Sequence, residues 1–348
     1  MDDRPTKKSR NGHKPAICLG TLTFGWSKAS VFVDDVVATA MLNAFLVSGG
    51  QRIDTARCYS DGACEEMLGR CIGKATKSRS VKVDSKVNPA IGEGLTPQGV
   101  RVQVRAALQA LRIEKIDVLY LHQPDTKSEL SATLECIHEL VQGGVVGELG
   151  LSNYSALETE RCICLCRQHG WTPPTAYQGI YNVVNRWVEE ELLPILRAND
   201  IRFVAYSPLA GGLLCKAHSK DNLPQKRVQD NPFYFNDECL AANARITDVC
   251  SKYGLGILEA TYSWLLHHST LTPSDGIVLG ASSTEQLQKN LDACAAAEEL
   301  PEPVVEVFES CWASCKATAY PYWRLYSKDM PNREELVQRA PGALFHCQ

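Results

Sequence analysis

Short apolar runs recur along the chain at about 17 to 22, 51 to 54, 81 to 86, 116 to 121, 146 to 151, 175 to 179, 201 to 206 and 276 to 280. They are short and evenly interspersed, so they read as strands buried on both faces. Between them the pattern changes period. Val100, Val104, Ala107, Leu108 and Leu111 mark one apolar helix face, and Leu130, Leu134, Ile137 and Val141 mark another. Such faces need a sheet to cover. Eight strands alternating with helices, in a chain somewhat longer than ~250 residues, predict an α/β fold, a (β/α)8 TIM barrel with insertions. An open doubly wound sheet would carry Gly-x-Gly-x-x-Gly after its first strand, and nothing of that form follows Leu22. The isolated Gly254-Leu-Gly256 lacks a third glycine and a preceding strand, so it is not read as a phosphate loop.

The same pattern sets the boundaries. Residues 1–14 are polar and predict a disordered tail, 15–327 the barrel, and 328–348, with Pro331 and Pro341, a flexible tail. A long piece, about 207 to 275, separates the seventh and eighth strands. Its first half runs from Gly211 to Arg227, glycine-rich and then basic, as expected of a loop folding over a pyrophosphate. Its second half reads as helical.

Composition narrows the partners. The 348 residues are 45% hydrophobic and 22% charged, with a net charge of −4 and a pI near 6.1, which leaves no footprint for nucleic acid or an anionic membrane. A small molecule is the default partner. The N-terminus has no apolar stretch behind its charges, and no run approaches the ~18 apolar residues of a membrane span. Fifteen irregularly spaced cysteines predict thiols in a reducing compartment, so a cytoplasmic location is expected. Cys162-x-Cys164-x-Cys166 lies in a helical run where only 162 and 166 share a face, and no Cys/His pair nearby completes a zinc pattern, so no metal site is assigned. His267 and His268, adjacent on an expected helix, cannot point one way; they read as half buried, half exposed.

The candidate chemistry sits where strands end. The second strand ends on Asp54 and opens into a loop carrying Tyr59; the third ends on Lys86 and the fourth on His122. On a barrel these positions converge on the C-terminal mouth, where such folds place their chemistry. A phenol with a reference pKa near ~10 is a poor acid at neutral pH. A cation about 4 Å away is worth roughly 4 kcal/mol at an effective dielectric near 20, enough to lower that value by about three units, with Asp54 holding the lysine and offsetting part of the shift.

Asp54-Thr-Ala-x-x-Tyr59, Ser85-Lys86, Leu121-His122-x-Pro124-Asp125 and Gly150-Leu-Ser-Asn-Tyr154 resemble, in order, the words that carry the Asp/Tyr/Lys/His tetrad of the aldo-keto reductases. Tyr59-Ser-Asp-Gly62, Tyr177-Gln-Gly-x-Tyr-Asn182 and Pro208-Leu-Ala-Gly-Gly-Leu-Leu214 look like the aflatoxin aldehyde reductase branch, and the resemblance covers roughly residues 16 to 325. It implies a barrel with a cofactor-covering insertion after strand 7 and a C-terminal substrate loop. The implied activity is NADPH-dependent reduction of aldehydes, with Tyr59 as general acid and Asp54, Lys86 and His122 in support, and the implied assembly is a homodimer.

By the same resemblance Ser152, Asn153 and Gln178 hold the nicotinamide carboxamide and Tyr206 stacks on its ring. Ser207, Pro208, Leu209 and Gly211 belong to the loop over the pyrophosphate, with Lys216 and Arg227 supplying charge. The last strand's loop departs from the wider superfamily's lysine and arginine, offering Ser282, Gln286 and Asn290, as in the aflatoxin aldehyde reductases and the potassium-channel β subunits. An alternative implied reading is therefore an NADP(H)-binding regulatory subunit like those β subunits. Against it stand the short N-terminus and the reductase-type loop at 207 to 214. On the substrate side Tyr322, Trp323 and Arg324 match the branch, but Asn231 to Cys239 contains no arginine and Ala90 replaces a tryptophan. The mouth is therefore expected to be more aromatic and less cationic, with Phe233, Tyr234 or Trp323 lining it.

Overall fold

Parallel ladders join every strand to the next in sequence, and the eighth pairs back to the first. The computed structural model describes residues 14–27, 31–75, 81–219, 223 and 233–323. Its strands are β1 (Ala16–Gly20), β2 (Arg52–Asp54), β3 (Lys82–Val87), β4 (Ile116–Leu121), β5 (Val146–Ser152), β6 (Pro174–Ile180), β7 (Arg202–Tyr206) and β8 (Gly276–Leu279), closed in that order. All eight expected strands are present, each within two residues of its apolar run.

Alternation along each strand divides the molecule into two interiors. Leu19, Ile53, Val83, Leu119, Leu149, Phe203 and Ile277 face outward and join the main core beneath the helices. The lumen holds only small apolar patches, Cys18 with Val204 and Val278, and Val118 with Tyr120 and Ala176. Tyr120 fills much of the space. A Cβ at Gly150 would lie 2.3 Å from the Tyr120 ring, which explains a glycine in the middle of β5.

The outer layer begins with α1 (Asp35–Val47), α2 (Ala63–Ala75), α3 (Pro97–Leu111), α4 (Leu130–Gln142), α5 (Ala156–His169) and α6 (Leu192–Ala198). Val100, Val104, Ala107 and Leu111 of α3 and Leu134 and Ile137 of α4 are buried as expected, while Leu108, Leu130 and Val141 are half-buried. Local chemistry fixes the ends. Thr96 caps α3 ahead of Pro97, and Ser155 and Glu158 form a reciprocal capping box on α5, which stops at Gly170 with φ 69°.

Between β7 and β8 lie α7 (Asp237–Lys252) and α8 (Ile257–Ser263), followed after β8 by α9 (Thr284–Ala295) and α10 (Glu302–Cys315). Gly254-Leu-Gly256 connects α7 to α8, in keeping with its exclusion as a phosphate loop. On α5, Cys162 and Cys166 are buried and Cys164 is exposed, the divergence expected of alternate helix positions. His267 and His268 depart from expectation. They fall in a π-helical turn, Trp264–His268, which widens the helix so that both are half-buried. Both also bond one stretch of backbone: His267 Nε2 to Ala297 O at 3.0 Å and His268 Nε2 to Leu300 N at 2.8 Å.

The expected N-terminal tail lies outside the described residues except Lys14, whose ammonium donates to Ala297 O at 2.7 Å. The expected C-terminal tail also lies outside them, as does most of 220–232. No helix of the described residues is long and apolar enough to cross a membrane.

Candidate active site

β2 and β3 are neighbours in register, so the residues that end them meet at the mouth of the barrel. Lys86 Nζ donates to Asp54 Oδ1 at 2.8 Å, Asp54 Oδ2 at 2.7 Å and Thr55 O at 2.8 Å. Both partners are buried. A buried charge pair of this kind is tolerated only when its remaining hydrogen-bonding capacity is filled. Here the ammonium spends all three protons on acceptors, and Asp54 Oδ1 gains a further donor in Gln178 Nε2 at 2.7 Å.

Tyr59 lies beside this pair, with Lys86 Nζ 5.0 Å from its ring centre. The His122 ring stands edge-on to it, 5.9 Å between centroids at 78°. Asp54, Tyr59, Lys86 and His122, drawn from three strand ends, are thus brought together. The expected lowering of the phenol pKa is not what the structure gives. Burial, reinforced by the Asp54 carboxylate, pushes the Tyr59 phenol well up, because the lysine's charge is matched by its own counter-ion. Tyr59 is held as a protonated donor.

The backbone that carries Tyr59 is unusual. It opens a tight turn, Tyr59–Gly62, in which Ser60, Asp61 and Gly62 have φ of 51°, 52° and 96°. Two of these are non-glycine residues in left-handed conformation, a cost that neighbouring contacts must hold in place. Arg57 and Glu65 supply them. Arg57 Nη1 donates to Glu65 Oε2 at 2.9 Å, and Ser85 Oγ donates to Glu65 Oε1 at 2.6 Å, linking the turn to β3 beside Lys86. Glu65 is 0% exposed, and burial raises its carboxyl pKa. Gly62, at φ 96°, holds a conformation that strains any other side chain, and a Cβ there would also displace the Arg57 guanidinium, 1.2 Å away at Nη2. Arg57 and Glu65 were not singled out from sequence, although a charged pair eight positions apart across a Gly-containing turn was a readable signal.

The residues expected to hold a nicotinamide cofactor line the next three strand ends. Asn153, with φ 61°, donates from Nδ2 to His122 O at 2.9 Å and Ser152 Oγ at 3.0 Å, and its Oδ1 accepts from Tyr206 OH at 2.8 Å. Ser152, Asn153 and Gln178 are buried and Tyr206 is half-buried, so one polar ring ties the tetrad to β5, β6 and β7. After β7 the chain coils tightly, with Ser207, Ala210, Gly211 and Gly212 all at positive φ. Asn182 Nδ2 holds Ser207 O at 3.0 Å. Pro208 is buried, Leu209 half-buried and Lys216 exposed; Arg227 lies outside the described residues.

Ser282 donates from both N and Oγ to Gln286 Oε1 at 3.1 Å, Asn290 Nδ2 donates to Gly280 O at 3.3 Å, and Ser283 caps α9. A helix start next to a glycine-rich coil suits a phosphate-bearing group, because oriented N–H groups favour an anion there.

The substrate-side expectations divide. Tyr322 is buried, and its hydroxyl accepts from Ala156 N at 3.1 Å and donates to Glu191 Oε2 at 3.4 Å, so it fastens the C-terminal segment to the start of α5. Trp323 is half-buried and Arg324 lies outside the described residues. Phe233 is half-buried, with ring centroids 4.3 Å from Tyr320 and 4.6 Å from Tyr234. Tyr234 is buried and its hydroxyl accepts from Asn182 Nδ2 at 3.1 Å, beneath the loop after β7. Ala90 is exposed.

Comparison with known proteins accords with this geometry. A model described as the aldo/keto reductase family matches residues 16–313. Aflatoxin B1 aldehyde reductase member 2 of Mus musculus is 39% identical over 334 residues, 90% of this chain and 89% of its own. Aflatoxin B1 aldehyde reductase member 4 of Homo sapiens is 38% identical over 323 residues, 86% of this chain and 94% of its own. A solved glycerol dehydrogenase from Gluconobacter oxydans shares the fold with a TM-score of 0.71 at 24% identity, covering 85% of this chain and 91% of that one. Matched along nearly its whole barrel and aligned with most of the length of these relatives, the chain belongs to the aldo/keto reductase family of oxidoreductases.

Proposed function

We propose that the chain reduces aldehydes to alcohols with NADPH as hydride donor. The observation that carries the reading is the buried Lys86–Asp54 pair set beneath a protonated Tyr59 and beside His122 at the barrel mouth. NADPH, when bound, supplies a hydride from nicotinamide C4 to the carbonyl carbon. Tyr59 donates its proton to the carbonyl oxygen, with the Lys86–Asp54 pair holding the polar surroundings of the phenol in place. His122 donates a hydrogen bond to the same oxygen and steadies the negative charge that develops there.

Ser152, Asn153 and Gln178 would hold the carboxamide, with the Tyr206 ring anchored through its hydroxyl so that its face is available for stacking. Ser207, Pro208, Leu209 and Gly211 would cover the pyrophosphate. Lys216 and Arg227 would meet phosphate charge, with Ser282, Gln286 and Asn290 at the adenosine end. Trp323 and Arg324 would border the substrate, positioned by Tyr322. The four assembled side chains and the reductases among the relatives favour catalysis over a purely regulatory role. The free cysteines among the described residues favour a reducing, cytoplasmic site of action, and a homodimer is part of the same proposal.

Loss of NADPH absorbance with 4-nitrobenzaldehyde tests the reading. Turnover is expected, with NADPH bound at least about tenfold more tightly than NADH, since a charge-assisted phosphate contact is worth roughly 1.5 to 3 kcal/mol. No turnover with either cofactor would refute it.

A further inference from the structure

The imidazole of His122 has a neighbour that no part of this mechanism has used. Asn88, just beyond β3, is 1% exposed, and its side-chain Nδ2 lies 3.3 Å from His122 Nδ1. The orientation of this amide is fixed by what its oxygen does. Asn88 Oδ1 accepts from Ala90 N at 2.9 Å and from Gln123 Nε2 at 3.4 Å, so a flipped amide would set its nitrogen against two donors. The backbone is clamped as well. Gln103 of α3, buried, accepts from Asn88 N at 2.8 Å and donates to Asn88 O at 3.1 Å and Gly94 O at 3.0 Å. A rigid chain of contacts therefore runs from α3 through Asn88 to the imidazole.

An amide nitrogen can only donate, so the nitrogen it faces must present a lone pair. We propose that Asn88 is a positioning residue: it fixes His122 as the neutral tautomer with its proton on Nε2, the nitrogen that then donates to the substrate oxygen. The proposal rests on the reading of His122 as that donor.

Protonating Nδ1 would set an N–H against the amide's own hydrogens in a buried site, so the imidazolium is disfavoured too. Cys58, Tyr59 and Lys86 beside the ring are compatible with this. Cys58 Sγ, 3.4 Å from the same Nδ1, can donate as a thiol; Tyr59 is a protonated phenol; and Lys86 is matched by Asp54. From β5, Asn153 Nδ2 donates to the His122 carbonyl.

Asn88→Asp keeps the shape and reverses the polarity. A carboxylate facing Nδ1 raises the histidine pKa. Below that value the imidazolium still donates from Nε2; above it the remaining proton is drawn to Nδ1, and Nε2 turns a lone pair toward the substrate oxygen. With NADPH and 4-nitrobenzaldehyde, wild-type kcat/KM is expected to stay level from about pH 6 to 9, while Asn88→Asp loses about tenfold or more as pH rises through that range.

Nitrogen-15 NMR of the wild-type chain, which does not depend on the variant folding, is expected to show His122 neutral and protonated on Nε2 at pH 7. A wild-type spectrum with the proton on Nδ1, or with the cation, overturns the proposal, as does a folded Asn88→Asp whose pH profile matches wild type. A His122→Ala variant with undiminished turnover would instead refute the donor role of His122, while the NMR tautomer still decides the role of Asn88.

Discussion

The two adjacent strands β2 and β3 carry two ion pairs two residues apart, half-buried Arg52 with buried Asp84 at 2.5 Å and buried Asp54 with buried Lys86 at 2.7 Å. The chemistry is nearly the same, with carboxylate and cation exchanging strands from one level to the next. The surroundings differ. The lower pair lies toward the N-terminal side of the barrel, close to the Arg202–Glu148 pair, and Tyr120 closes the lumen above it. The upper pair has Tyr59 and His122 beside it and polar strand ends around it. Lys86 lies between the two tyrosines, 5.0 Å from the Tyr59 ring centre and 5.9 Å from that of Tyr120. An ion pair with a buried carboxylate is therefore not what distinguishes the site. A protonated tyrosine beside it is.

The comparison breaks first at Lys86. In Lys86→Met the Asp54 carboxylate keeps Gln178 but loses its counter-ion, and turnover is expected to fall by about 10² to 10⁴, with a stability loss on the order of 3 to 5 kcal/mol in urea unfolding. At the lower level, Asp84→Asn leaves Arg52 without its carboxylate. Because the carboxylate it removes is itself disfavoured by burial and Arg52 keeps some access to solvent, it is expected to change stability less than Lys86→Met does, while kcat per folded molecule stays within about a factor of two of wild type. Equal loss of turnover from both substitutions would erase the distinction.

The lower pair can also be followed by pH. Burial pushes the Asp84 carboxyl up from 3.8 to about 6, the nearby Arg52 opposing. A carboxyl whose folded pKa is raised binds its proton more tightly in the folded state, so its contribution falls as pH climbs from about 4 to about 6. Melting temperature in that window should accordingly rise more steeply with pH, or fall less, in Asp84→Asn than in wild type. The smallest effect is expected at Gly150. Gly150→Ala drives a methyl into Tyr120 and should cost about 1 to 3 kcal/mol, measured as a lowered melting temperature.

The barrel was legible because strands buried on both faces leave short apolar runs, and helices that must cover them leave a 3.6-residue period. The tetrad was legible because strand ends in a parallel barrel share one face. What escaped the sequence depends on which long-range partner wins. Lys86 beside a tyrosine suggests an acidified phenol until all three ammonium protons prove to be engaged by Asp54 and Thr55. Tyr234 reads as a mouth-lining aromatic and Tyr322 as a substrate-side residue, yet each hydroxyl finds a buried partner elsewhere, at Asn182 and Ala156. Asn88 appears in sequence only as the residue before a proline. Its contact with the histidine depends on Ala90 and Gln123 fixing which end of the amide faces the ring.

The account as a whole turns on the proton of Tyr59, and Tyr59→Phe tests it with the least disturbance, removing one oxygen from a half-buried ring. Single-turnover reduction of 4-nitrobenzaldehyde should slow by about 10² to 10⁴, while NADPH affinity, measured by fluorescence titration of the same protein, stays within about threefold of wild type. Near wild-type turnover in a folded Tyr59→Phe protein would contradict the assignment of the barrel mouth as the site of proton transfer.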